Sequence, residues 1–422
     1  MSNVTQATGL TMAEKIIGRH AGITVKAGDI VEAKVDVVML HDVGVPGIMQ
    51  PLKELEATEM SPDVEIVVIP DHFVPAPTVQ AAKNIQLTKE FARQHRATLY
   101  DVGRGGICHQ VMVEKGHVRP GEIILAPDSH ATTYGAMGAL GTGSGVTDVA
   151  IALATGRLWF RVPPTVRVNL KGQMPPGIYG KDVALVLLQR FGSERLLYYS
   201  LEINDCDLHM SDKLCIANMA LEMGVKDCLF SVASGTGKGP YLDSDGGLRS
   251  DDNASVEEEI TILLDRIEPM LACPHHPCNV KSLQEVAGIA IDQAFLGSCT
   301  NGRLEDLRIA AAILEGRQVH PNVRMIVTPA SQVVFQQALR EGIIDIFLTA
   351  GAEITSPSCG ACVGSHQGLL APGETCISSS NRNFRGRMGS NEADIYLGSP
   401  ASVAAAAVTG KIIDYREMGV CK

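Results

Sequence analysis

Long apolar runs are missing: none in the 422 residues approaches the roughly 20 needed to span a bilayer. A secretory signature is missing too, since Met1–Gly9 is polar and has no charged region followed by an apolar core. Thr11 and Glu14 instead fit a capping box opening a helix through Ile16 and Ile17. Positive charge is not in excess. With 36 Lys and Arg against 47 Asp and Glu, the net charge is −11. That balance speaks against a broad nucleic-acid footprint and against docking on an anionic membrane. An anionic ligand must then be held by a local group of Arg and backbone N–H donors. No collagen-like period organises the 42 glycines, and there is neither a low-complexity segment nor a short repeat. Glycines at this frequency point to many strand-to-helix turns. The 11 cysteines are an odd number without an export signal, which argues against a disulfide framework. In a reducing cytoplasm, the expected location, clustered cysteines read as metal ligands or reactive thiols.

What is present is an alternation. Val35–Leu40, Val64–Ile69, Thr98–Val102 and Ile123–Ala126 are short runs rich in branched residues, each followed by a turn and then by helical periodicity. The pattern predicts an α/β fold with largely parallel sheets. A Pro-rich break at Val162-Pro163-Pro164 closes a first block, 1–163. A second, 164–287, opens on Thr165–Leu170 and contains a Gly/Ser/Asp-rich loop, Ser234–Asp252, expected to be exposed. A third, 288–422, opens on Ile289–Leu296. Three α/β domains are expected, in keeping with the length.

Residues capable of chemistry follow the predicted strand ends. His41 and Asp42 follow the first strand and Asp71 and His72 the next; Cys108 and His109 come soon after Val102, and Asp128, Ser129 and His130 after Ala126. Cys299 follows Leu296, and Asn381 and Arg382 follow Ile377. Open α/β sheets bind ligands outside the carboxyl ends of their strands. A single histidine there is usually structural, but several in one block are hard to assign to packing.

Cys359-Gly360-Ala361-Cys362 is a C-x-x-C motif that fits a redox pair, half a zinc site or two iron–sulfur ligands. Cys299 lies in Gly297-Ser298-Cys299-Thr300-Asn301-Gly302, between a strand and a helix starting near Arg303, where free backbone N–H groups favour a thiolate. Three cysteines are one short of a saturated four-iron cluster. Held by three, such a cluster keeps one iron open to substrate. Cys273-Pro274-His275-His276-Pro277-Cys278 looks like a second metal motif, although its two prolines also suit a rigid connection. Cys206, Cys215, Cys228, Cys376 and Cys421 read as buried small residues or incidental surface thiols.

Together these motifs resemble the aconitase superfamily, specifically the large subunits of two-subunit hydro-lyases of the 3-isopropylmalate dehydratase type. The resemblance covers roughly Leu10 to Ala406. It rests on Gly106-Ile107-Cys108-His109-Gln110, Ala126-Pro127-Asp128-Ser129-His130, Gly297-Ser298-Cys299-Thr300-Asn301, Ser358-Cys359-Gly360-Ala361-Cys362 and Asn381-Arg382-Asn383-Phe384-Arg385-Gly386-Arg387. It implies α/β domains around a central iron–sulfur site, with a [4Fe–4S] cluster on Cys299, Cys359 and Cys362. It implies that Asp71 with His72, and His109 with Asp128, are carboxylate–imidazole pairs around the hydroxyl and water that come and go. His130 would bond substrate or water, Ser129 and His41 would line the substrate carboxylate, and Arg382 and Arg387 with Asn381 would bind the anion. Asn218 and Glu222 match the family's Asn-x-x-x-Glu, whose spacing puts both on one helix face, with Glu222 toward the iron-bound water.

The departures bear on partner and substrate. Full-length aconitases carry a further domain with a serine base and more substrate arginines. This sequence shows no Gly-Ser-Ser-Arg-like loop, so the resemblance implies a small subunit that supplies them. The implied reaction is reversible dehydration of a 2-hydroxy diacid, first of all 2-isopropylmalate to 3-isopropylmalate in leucine biosynthesis. Ala131-Thr132-Thr133-Tyr134 and Gly44-Val45-Pro46-Gly47-Ile48 differ from the commonest forms, which keeps homoaconitate, 2,3-dimethylmalate and maleate or citraconate hydro-lyases open. From other classes, a cluster-free RNA-binding protein and a zinc-bound scaffold are the rivals. Gly135–Gly145 is glycine-rich but follows the histidine motif, and so is expected to serve close backbone approach rather than nucleotide binding. Gly235–Gly239 lacks full phosphate-loop spacing.

Overall fold

The capping box expected at the first helix forms. Thr11 Oγ1 accepts from the Glu14 N–H and the Glu14 carboxylate accepts from the Thr11 N–H, opening the helix Met12–Ala21, with Ile16 and Ile17 buried. The computed structural model describes residues 9–204, 207–235 and 241–419. Cys206, Cys421 and residues 236–239 of the second glycine stretch lie outside them.

The branched runs become three mainly parallel sheets. In the first, the order is Thr98–Leu99, Glu65–Val68, Val37–Leu40, Ile123–Ala126, Leu140–Gly143, all parallel. The chain winds outward one way from Val37–Leu40, then returns to start the other way at Ile123–Ala126. Their carboxyl ends therefore flank a switch point, where the crevice of an open α/β sheet lies. These ends carry His41–Asp42 and Asp128–His130. The second sheet is also parallel, in the order Asp227–Phe230, Ser200–Asn204, Thr165–Lys171, Glu258–Leu263. In the third, Asp394–Leu397, Thr375–Ser378, Gln293–Leu296, Arg324–Val327 and Glu353–Ile354 run parallel, with Met270–Ala272 and Val280–Ser282 added antiparallel at one edge. The strands of this sheet thus begin ahead of residue 288. Its switch point lies between Gln293–Leu296 and Thr375–Ser378, so Gly297–Asn301 and Ser379–Arg382 emerge side by side. A short antiparallel pair, Ile30–Lys34 with Arg157–Arg161, stands apart.

Gly135 shows why the first glycine stretch is needed. It sits in the 3₁₀ segment Ser129–Met137, pressed on the strand Asp227–Phe230, and a Cβ there would lie 1.5 Å from the Cys228 carbonyl oxygen. No flexible side chain can yield. Gly135→Ala is expected to lower the chemical-denaturation midpoint, at a cost of about 3 kcal/mol; an unchanged midpoint would contradict this packing.

The Ser234–Asp252 loop departs from the expectation of exposure. Among its described residues Leu248 is buried, and Asp243 pairs with Lys15 at 3.3 Å and Arg19 at 2.5 Å. The physical reason is charge: an acidic loop closes over the basic side of the first helix. Among the described residues, no helix is long and apolar enough to cross a membrane.

Candidate active site

The two switch points face one cavity of about 380 Å³. Its wall includes His41, Asp71, His72, His109, Asp128, Ser129 and His130 from the first sheet, and Cys299, Cys359, Cys362, Asn381, Arg382 and Arg387 from the third. Asn218 and Glu222 are not on that wall. They stand directly behind it.

Asp128 is the hub. Its Oδ1 accepts from His109 Nε2 at 2.9 Å and from the His130 N–H at 2.8 Å, and its Oδ2 lies 3.4 Å from His72 Nε2 and 3.9 Å from His41 Nε2. Burial would raise the Asp128 carboxyl, yet His109, His130 and His72 together hold it well below the ordinary carboxylate range. His72 Nδ1 is 2.6 Å from Asp71 Oδ1. Asp71 Oδ2 accepts from the Cys108 N–H at 2.8 Å. Burial disfavours a charged His72, but Cys359, Asp71 and Asp128 outweigh it and lift His72 well above the usual imidazole value. That leaves His72 Nε2 facing the cavity. His109 is engaged at both nitrogens, since Nδ1 meets Tyr134 Oη at 3.0 Å. His41 Nδ1 accepts from the Val43 and Gly44 N–H groups at 3.2 and 3.1 Å, and its ring stacks on His72 with centroids 4.2 Å apart.

On the opposite side, His130 Nε2 meets Glu222 Oε1 at 3.1 Å, and Arg382 Nε donates to the same oxygen at 2.8 Å. Burial pushes the Glu222 carboxyl up, but His130 and Arg382 bring it below its ordinary value. Arg382 Nη2 also donates to Ser129 Oγ at 3.2 Å, joining the two sheets' loops. The α-helix Met210–Ala220 carries Asn218, but Glu222 lies in the following 3₁₀ turn Leu221–Met223 rather than on an α-helical face. Asn218 is fully buried and joins three loops: Nδ2 donates to Thr133 Oγ1 at 2.9 Å, and Oδ1 accepts from Thr300 Oγ1 at 2.9 Å and Asn381 Nδ2 at 3.2 Å.

The three thiols have polar neighbours already in place. Asn381 Nδ2 is 3.2 Å from Cys299 Sγ, Asn381 Oδ1 is 3.5 Å from Cys362 Sγ, and Arg387 Nη2 is 3.6 Å from Cys362 Sγ. Arg303 donates to the carbonyls of Cys299 and Thr300 at 2.9 and 2.6 Å, fixing the first turn. Ser298 there has φ 79°, a strained conformation for a non-glycine residue. Gly360, at φ 58°, gives the C-x-x-C turn its left-handed step against Thr328 and Phe295. Burial pushes the Cys299 thiol up to about 12 and the Cys359 thiol higher than usual, so thiolates here require bound positive charge.

The donor set discriminates between metals. Three thiolates on one tetrahedral zinc, with bonds of about 2.3 Å, stand about 3.8 Å apart. The sulfurs of Cys299, Cys359 and Cys362 do not all come within 4.8 Å of one another. All three line one cavity, and at least one pair is wider than a single ion spans, which fits a multi-iron group better than one ion. Arg387 Nε is buried without a partner beside them. Of the described residues, His41, Asp42, Asp71 and His72 do fall within ion-binding reach of one another, but the first three already accept from backbone N–H groups and His72 Nδ1 is engaged by Asp71.

The Cys273–Cys278 motif does not assemble as a metal site. His275 Nε2 is 3.4 Å from Asp394 Oδ1, His276 Nδ1 accepts from the Cys278 N–H at 3.1 Å, and the His276 ring meets the edge of Phe384. The loop is a brace against the arginine turn, as its prolines suit. Sequence reasoning singled out Asp42 at a strand end without giving it a role, and it missed Tyr134, Arg303 and Lys181. Asp42 accepts from the N–H groups of Asp71, His72 and Phe73, each at 2.9 Å, and so shapes the histidine loop. Its place at a strand end was the available signal.

Fold and site thus define an α/β protein with a three-thiol, imidazole-walled crevice at its strand ends. The chain belongs to the aconitase family (aconitate hydratase), whose family model matches residues 14–288 and 279–410. A 3-isopropylmalate dehydratase large subunit of Methanopyrus kandleri is 46% identical, covering 97% of this chain and 99% of that protein. A homoaconitase large subunit of Thermus thermophilus is 43% identical, covering 97% and 98%. Among solved structures, aconitase X of Thermococcus kodakaraensis in its holo-form matches with a TM-score of 0.55 at 14% identity, covering 94% of each chain, a likeness of fold alone.

Proposed function

We propose that this chain is the cluster-bearing large subunit of a hydro-lyase that interconverts 2-isopropylmalate and 3-isopropylmalate through the unsaturated diacid. The observation that carries this reading is the meeting, in one cavity, of three thiols with two carboxylate-backed imidazoles and two arginines. Cys299, Cys359 and Cys362 would hold a [4Fe–4S] cluster. Held by three protein ligands only, such a cluster would supply a Lewis acid toward hydroxyl and carboxylate.

The chain's own residues do the rest. Arg387 and Arg382, with Ser129, present donors for the diacid's carboxylates, where a planar guanidinium gives paired contacts. His72, held by Asp71 at Nδ1, offers its Nε2 proton to the departing hydroxyl, which leaves as water. His109 is locked between Asp128 and Tyr134, with both ring nitrogens engaged, so it holds Asp128 in place. His130, backed by Glu222, bonds the released water and holds it for return to the neighbouring carbon. The carbon-bound proton passes to a base on a small subunit, the partner this reading requires; nucleic acid and membrane are not partners in it, and the location is cytoplasmic. The three sheet-centred blocks are read as three domains around the cavity.

Tyr134→Phe keeps the ring volume and removes the hydroxyl at His109 Nδ1. About a tenfold fall in kcat is expected, with the fold intact, as for one lost buried hydrogen bond; unchanged kcat would show that His109 needs no such lock. A homoaconitase reading is favoured by one observation, the similarity to the Thermus thermophilus protein. Assaying the chain with a small subunit on both diacids separates the two. The proposal expects kcat/KM at least about 100-fold higher on 2-isopropylmalate, a difference of about 2.7 kcal/mol in transition-state binding. A preference for homoaconitate would overturn the substrate assignment.

A further inference from the structure

Lys181 is the most deeply buried cation described. It is 0% exposed, at the second position of the helix Gly180–Phe191. Both features are unfavourable: a helix N-terminus repels positive charge, and burying an unpaired ammonium forfeits its hydration. Among the described residues no carboxylate forms an ion pair with it. Its nitrogen donates instead to the carbonyls of Ser379 and Ser380 at 2.8 and 2.7 Å and approaches Met219 Sδ at 3.8 Å. Three acceptors match the three N–H donors that only the ammonium form has.

The carbonyls belong to the turn that carries Asn381 and Arg382. Ser379 Oγ accepts from the Gly297 N–H at 2.9 Å and lies 3.1 Å from the carbonyls of Gly297 and Asn301. One lysine on the second sheet's helix thus holds the turn that is stapled to the Cys299 loop. That turn continues into Asn381, whose side chain lies 3.2 Å from Cys299 Sγ and 3.5 Å from Cys362 Sγ, so the ammonium stands directly behind two of the thiols and would feel the negative charge they gain on ligation; the Asp306 carboxylate also acts on it. Asp306 is already engaged by Asn301 Nδ2 and the Arg303 N–H, each at 2.9 Å.

We infer that Lys181 is a positioning residue with two tasks: it tethers the Ser379–Arg382 turn, and it is the buried positive counter-charge of the three-cysteine site. The inference rests on the cluster proposed above. A space-filling residue would not need the charge, whereas a site of ligating thiolates does. A fixed cation beside such a site favours the reduced, more negative form.

Lys181→Met and Lys181→Gln separate the tasks, since glutamine keeps an N–H donor without charge. Three quantities are measured on the anaerobically reconstituted chain: iron content, the reduction equilibrium of the cluster, and amide exchange at residues 379–382 with the cluster removed. Both variants are expected to disfavour reduction about tenfold, which is 59 mV for a one-electron couple. Only Lys181→Met should lose most exchange protection. A loaded variant with the parent's reduction equilibrium overturns the counter-charge, and unchanged exchange in Lys181→Met overturns the tether. If Lys181→Met does not fold, Lys181→Gln decides the charge. If the parent chain itself assembles no cluster, the proposed function fails, and the exchange measurement still tests the tether.

Discussion

Replacing Cys359 by serine is expected to abolish iron binding and turnover together. Its thiol lies 3.9 Å from Asp71 Oδ2, and its N–H donates to the Asp71 carbonyl at 2.9 Å. The residue thus joins the thiol set to the carboxylate that backs His72. Serine keeps the backbone contact, so the turn and the fold should survive. What disappears is the soft anionic donor. A hydroxyl in this place is far harder to ionise than a thiol, and it binds iron–sulfur groups poorly. Activity should fall by at least about 10⁴-fold, to background, with the visible absorption of the chain. A folded Cys359→Ser variant with full activity would remove the thiols from the chemistry.

Asp128→Asn carries the second large effect. The carboxylate takes hydrogen bonds from His109 and the His130 N–H and faces His72 and His41, all from one partly exposed side chain. Asparagine must turn an NH₂ toward one of these partners, since it has one acceptor oxygen where the carboxylate had two. The imidazoles then lose the charge that fixes their orientation and raises their basicity. A fall in kcat of about 10³-fold is expected, near 4 kcal/mol of transition-state stabilisation. Iron content should stay at the parent's level, because none of the described cysteines hydrogen-bonds to Asp128. A kcat within tenfold of the parent would show that the hub orders the loop without assisting the reaction.

These two residues were legible in the sequence for a physical reason. Cys359 sits in a glycine-rich turn, and Asp128 follows a four-residue apolar strand, so both announce themselves locally. The parallel sheets were legible for the same reason, because branched runs alternate with helical periodicity. Distance along the chain set the limit. Lys181 reads locally as an ordinary polar residue of a helix start, and only the fold brings it to carbonyls 198 and 199 positions away. Tyr134 reads as one aromatic in a small-residue stretch, until the 3₁₀ segment turns its hydroxyl onto His109. Glu222 was reached through family likeness alone, and its 3₁₀ turn was not expected. The Cys273–Cys278 motif shows the opposite case: strong local composition, but side chains with separate partners, in the rigid connection its two prolines suggested. The acidic loop after Ser234 read as solvent-facing because its attraction to Lys15 and Arg19 spans more than two hundred residues.

The central claim is that the three cysteines hold an iron–sulfur cluster in an imidazole-walled cavity. The most direct measurement is an iron, zinc and acid-labile sulfide count on the anaerobically purified chain, with its visible spectrum. About three to four irons with matching sulfide, lost in Cys299→Ser, is the predicted result. Stoichiometric zinc, or no metal after anaerobic reconstitution, would contradict it.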